Sequence, residues 1–112
     1  MSSIPYTPEQ VISFCKDRKY KIVILSRNDR KNQNFRASNG ITYAEEQDVI
    51  RELTIEDLDK GPIEDRDICD NYLYVFHKLV CGKRCYIKLT IVDEKVVVKV
   101  ISFHESEGKS HD

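Results

Sequence analysis

The stretch Cys85 to Glu105, CYIKLTIVDEKVVVKVISFHE, constrains this chain more than any other. Cys85, Ile87, Leu89 and Ile91 alternate with Tyr86, Lys88 and Thr90. A short turn, Asp93-Glu94-Lys95, leads into a second β-rich run, Val96 to Phe103. A period of two marks a half-buried strand, and so short a link joins neighbours in antiparallel order. One face of this hairpin is apolar, so the chain must also supply elements to cover it.

Those elements lie upstream. A helix is expected from about Thr7 to Asp17, with Thr7 as N-cap, Pro8 in the first position and Gln10 completing a capping box. Val11, Ile12, Phe14 and Cys15 form its apolar stripe. Tyr20 to Leu25, YKIVIL, reads as a strand. Asp29 to Gly40 is polar and turn-rich and reads as a loop. A second helix starts at Thr42, with Glu45 completing another capping box, and ends near Leu53. Thr54 restarts a short helical turn that Lys60-Gly61-Pro62 stops, and Ile63 to Asp70 is read as a charged connector. Tyr72 to Val80 precedes the closing hairpin as a third strand of a meander, linked by Cys81-Gly82-Lys83-Arg84. The order α-β-α-β-β-β predicts an α+β fold, a small antiparallel sheet with helices packed on one face. With 112 residues, a single domain spanning 1–112 is expected, with 1–6 and 107–112 fraying.

Charge is uneven along a chain whose net charge is −1. Lys16 to Arg36 carries eight basic residues against two acidic ones, and His77 to Lys99 six against two. Ala44 to Asp67 carries ten acidic residues against three basic ones. Indiscriminate binding to polyanions is disfavoured, but a basic and an acidic face can coexist. No apolar run approaches the ~20 residues of a membrane span. The opening MSSIPYTPEQ has no basic n-region or apolar h-region, so no membrane partner is expected and the cytoplasm is the default compartment. Cys15, Cys69, Cys81 and Cys85 contain no C-x-x-C pair. His77, Cys81 and Cys85 are spaced by fours, which would align them on a helix, but their segment reads as strand and turn. Reduced thiols, no metal and no cofactor are expected.

Strand parity places Tyr86 and Lys88 on the face opposite the apolar one. If Phe103 and Ile101 point to the core, Ser102 and His104 share that open face. Each residue has a plain alternative. Tyrosine suits any sheet, lysine solubilises an edge, and Lys60 or His77 can simply end an element.

The C-terminal two thirds, from about Ser38 to Glu105, resembles the MqsR family of bacterial toxins, the toxin half of type II toxin–antitoxin pairs. The resemblance is carried by VIRELTIEDLDKGP, then YLYVFHK, CYIKLTIV and VISFHESE, in that order. The first 37 residues match only as helix plus strand. The resemblance implies a RelE-like fold, metal-independent cleavage of messenger RNA and a cognate antitoxin protein as partner, and it leaves the ribosome open as another. The family's lysine corresponds to Lys60 and its strand tyrosine to Tyr86. The basic residue after Ser-Phe, a lysine in some relatives, is His104, and a glutamine of some relatives falls at Leu73.

That chemistry calls for these residue types. RNA breaks without metal when its 2′-oxygen attacks the adjacent phosphate in line. The 2′ proton must be accepted, the phosphorane stabilised and the leaving 5′-oxygen protonated. Histidine suits either proton transfer, lysine the phosphorane charge, and tyrosine can orient the phosphate or stack on a base. The expected catalytic set is Lys60, Tyr86 and His104, with Lys88, Arg84 and His77 binding substrate. The competing readings are a non-catalytic protein-interaction module and a metal-binding regulator built on His77, Cys81 and Cys85.

Overall fold

Two capping boxes start the helices at the expected threonines. In the computed structural model, which describes residues 5–25, 40–92 and 95–106, α1 spans Pro8–Lys16 and α2 spans Tyr43–Arg51. Thr7 Oγ1 accepts from the Gln10 amide at 3.1 Å and Gln10 Oε1 from the Thr7 amide at 2.9 Å. Thr42 and Glu45 repeat the exchange. Each box satisfies two N–H groups that a helix start leaves without intrahelical partners. Thr54 and Asp57 frame a 3₁₀ turn, Ile55–Asp57. The Arg51 guanidinium, in the last turn of α2, donates to the carbonyls of Cys15 (3.0 Å), Asp17 (3.2 Å) and Tyr20 (3.3 Å). It thereby ties α2 to the C-terminal end of α1, where carbonyls lack intrahelical donors.

The sheet has five strands: β1 (Lys21–Ile24), β2 (Leu58–Glu64), β3 (Tyr72–Val80), β4 (Lys83–Val92) and β5 (Val97–Glu105). Their spatial order is β1-β5-β4-β3-β2. β2 through β5 pair antiparallel, but β1 pairs parallel to β5, Lys21 opposite Val97 and Ile24 opposite Val100. The fold is therefore α+β with a mixed sheet, which corrects the wholly antiparallel expectation. Short turns dictate antiparallel order only between strands adjacent in sequence, and β1 is far in sequence from its partner.

The second correction is β2. The segment expected as a stopped helical turn and a connector forms an edge strand, so the element order contains one strand more than expected. Proline is tolerated there because an edge strand has an unpaired side. Gly61 makes the pairing fit. Its φ is +134°, and a Cβ at this position would lie 2.9 Å from Leu73 O and Tyr74 Cα, both backbone atoms. Gly61→Ala is expected to destabilise the fold by about 2 kcal/mol or more, combining backbone strain with a clash that flexible side chains cannot relieve. In urea unfolding the midpoint should fall at unchanged slope.

The core lies between the helices and one sheet face. Val11, Ile12 and Cys15 of α1 and Ile50 of α2 meet Tyr74, Phe76, Ile87, Leu89, Val98 and Phe103. On β4 the alternation holds as expected, with Cys85, Ile87, Leu89 and Ile91 buried. On β5 it does not. Lys88 pairs with Ser102 but Leu89 with Val100, leaving Ile101 as the extra residue of a bulge. Before the bulge Val98 and Val100 face the core, and after it Phe103 does. Ile101, expected inward, is only half-buried. Residues 1–4, residues 26–39, which include the polar loop Asp29 to Gly40 up to its last residue, turn residues 93–94 and the tail 107–112 lie outside the described residues. No helix among the described residues is long and apolar enough to cross a membrane.

Candidate active site

The bulge at Ile101 decides the composition of the open sheet face. With Val98 and Val100 inward, strict alternation would also turn His104 inward. One extra residue reverses the parity and brings His104 opposite Tyr86. His77 lies opposite Tyr86 on the other side. The three rings form a row across β3, β4 and β5. His77 meets Tyr86 edge-on with centroids 5.8 Å apart, and His104 stacks on Tyr86 at 5.3 Å and 18°. Adjacent strands stand ~4.8 Å apart, so the backbones bearing the two histidines are about 10 Å apart.

A second row lies beside the first. Lys88 is opposite Val75 and Ser102, and Lys60 is opposite Val75 from β2. Two residues along a strand advance ~7 Å, which sets the spacing of the two rows. On the opposite flank of the ring row, Arg84 pairs with Leu79. All six residues singled out from the sequence, Lys60, His77, Arg84, Tyr86, Lys88 and His104, thus stand on one face. Lys60 reaches it from edge strand β2 rather than from a helix end. Thr90, also expected on this face, is buried, and its hydroxyl reaches the Tyr72 carbonyl at 2.6 Å. Leu73 pairs with Ile63 and gives the face an apolar margin.

Two participants were not legible from the sequence. Asp59 Oδ2 lies 3.6 Å from His77 Nε2, and Ser106 Oγ lies 3.2 Å from His77 Nδ1. Arg84 Nε donates to the same Nδ1 at 3.2 Å. From the sequence Asp59 is only one charge in an acidic block, because its segment reads as helical rather than as a strand facing His77. Asp59, His77 and Arg84 border an open cleft of about 460 Å³, whose other walls include Glu56, Asp57 and Lys78.

The electrostatics differ from ring to ring. Burial pushes the His77 pKa down and the Arg84 guanidinium pushes it further, while the Asp59 carboxylate opposes both. His77 is therefore neutral at physiological pH. Burial and then the Asp59 charge push the Tyr86 phenol up, so it keeps its proton and can donate. His104 Nδ1 lies 2.9 Å from the Glu105 carbonyl. A carbonyl only accepts, so Nδ1 carries a proton and Nε2 is the nitrogen free to exchange one.

The cysteines do not join this site. Cys85 points into the core and His77 to the open face, so the spacing of His77, Cys81 and Cys85 does not converge on an ion. Among the described residues no group of three or more His, Cys, Asp or Glu side chains could hold a metal. Burial raises the thiols of Cys15 and Cys85 to about 12, which makes them poor nucleophiles and poor ligands.

No family model and no curated protein matches this chain.

Proposed function

We propose that the protein is an endoribonuclease toxin of MqsR type with a RelE-like fold, cutting messenger RNA by acid–base catalysis and restrained in the cell by a cognate antitoxin. The carrying observation is the ring row His77–Tyr86–His104 beside the lysine row Lys60–Lys88, on one open sheet face. The 2′-hydroxyl loses its proton as its oxygen bonds to phosphorus. The bond from phosphorus to the 5′-oxygen breaks, and that oxygen takes up a proton. The products are a 2′,3′-cyclic phosphate and a 5′-hydroxyl. His104, through Nε2, handles one of the two protons. The Tyr86 phenol donates to a non-bridging phosphoryl oxygen, and Lys60 and Lys88 offset the phosphorane charge. Histidine in place of lysine after Ser-Phe suits this role, because its ordinary pKa lies near neutrality.

The purified protein should cut single-stranded RNA in excess EDTA and leave cyclic phosphate termini. No cleavage of any RNA at saturating protein would overturn the reading. If the chain is only an interaction module, its induced expression will be harmless to bacteria. If it is a toxin, growth arrest will follow and His104→Ala will relieve it.

A further inference from the structure

In-line cleavage requires two proton transfers, and His104 supplies one. The contacts of His77 point to the other. An arginine Nε–H can only donate, so its bond to His77 Nδ1 requires a lone pair on that nitrogen. The ring proton is then on Nε2, which faces the Asp59 carboxylate on β2. The basic nitrogen, Nδ1, is turned toward Arg84 on β4 and Ser106 just beyond β5, the side on which Tyr86 and His104 lie. Ser106 is held there by its backbone, whose N–H donates to the Arg84 carbonyl at 2.8 Å.

Arg84 is exposed and spends one N–H on a neutral imidazole. A phosphate offers the guanidinium two parallel, charge-assisted bonds, each about twice as strong as a neutral one. An arriving phosphodiester therefore outcompetes His77 for Arg84. From these contacts we infer that His77 is the general base of the reaction, that Asp59 fixes its tautomer, and that Arg84 caps its basic nitrogen until a substrate phosphate draws the guanidinium away.

This inference rests on the ribonuclease reading and adds a substrate-dependent switch to it. When the guanidinium leaves, the Ser106 hydroxyl is the other group beside Nδ1. As a free rotor it turns its proton away. Nδ1 then accepts the 2′-hydroxyl proton as the oxygen attacks phosphorus, and His104 Nε2–H protonates the departing 5′-oxygen. His77 ends the step charged on both nitrogens, beside Asp59, which stabilises that state. His104 ends it neutral. The two exchange their protons with water to reset. The charged or titratable groups facing His77 are Asp59 and Lys60 from β2 and Arg84 and Tyr86 from β4. Removing Arg84 and adding a phosphate both raise the basicity of His77.

The test uses the full chain with ¹⁵N-labelled histidine. In the free protein, His77 should show a protonated Nε2 and an unprotonated Nδ1, and it should titrate below the ordinary imidazole value. Saturating inorganic phosphate, or a single-stranded oligodeoxynucleotide, which lacks the attacking hydroxyl, should raise that titration by about one pH unit or more. In Arg84→Ala the free protein should already titrate higher, and phosphate should move it no further. In Asp59→Ala the free protein should keep the Nε2–H tautomer through Arg84, and the Nδ1–H tautomer should become populated only once phosphate has drawn Arg84 away. His77→Ala should cut RNA ~10²–10⁴-fold more slowly. If phosphate leaves the His77 signals unchanged while the wild type still cuts RNA, the cap is wrong and the ribonuclease reading stands. If His77→Ala cuts at the wild-type rate, the base assignment is wrong. If His77 responds as described but no RNA is cut, the phosphate-responsive pair stands and the ribonuclease reading falls.

Discussion

Under the proposed ribonuclease reaction, a His104→Ala variant is expected to cleave single-stranded RNA ~10²–10⁴-fold more slowly than the wild type, the usual contribution of one general acid–base group. Most of the loss should fall on kcat, because His104 is held by its own strand and by the stack on Tyr86 rather than by ground-state contacts with the phosphate. The half-buried ring contributes little to the core, and stacking of this kind is worth about 0.5–1.5 kcal/mol, so the variant should remain folded. Single-turnover cleavage of a fluorophore–quencher RNA, with thermal unfolding as control, measures both quantities. A variant as fast as the wild type would remove His104 from the mechanism.

The largest effect on stability is expected from Phe76→Ala. Phe76 is fully buried on β3, opposite Ile87, one residue before His77. Truncating a buried phenylalanine costs about 3–5 kcal/mol through lost transfer energy and an unfilled cavity. Domains of this size have roughly 5–15 kcal/mol in total. The melting temperature should fall by on the order of 10–20 °C. Any variant that survives should lose activity through its folded fraction, with the pH profile of the remainder unchanged. That separates it from His104→Ala, which leaves the protein folded and slow.

Helix starts were legible because capping is local. Thr7 with Gln10 and Thr42 with Glu45 satisfy each other within one turn, so the sequence contains the whole interaction. The parity of β4 was legible for the same reason, since alternation is a property of one strand. β2 was not, because Gly61 and Pro62 read as breakers unless one knows that the strand lies at an edge and presses its glycine against the backbone of β3. The parallel pairing of β1 with β5 was hidden because the two strands are far apart in sequence and no turn connects them.

The sequence by itself determined which side chains of β4 point away from the core, and with them Tyr86 and Lys88, because side-chain direction follows the pleat. Only the tertiary structure decided that His104 joins them. A bulge is stabilised by how Val98, Val100 and Phe103 fit the core, and no local pattern encodes that fit. The structure also decided that His77 lies between Asp59 and Arg84. That contact depends on β2 folding onto the edge of β3, a long-range pairing whose worth is realised only once the sheet has formed.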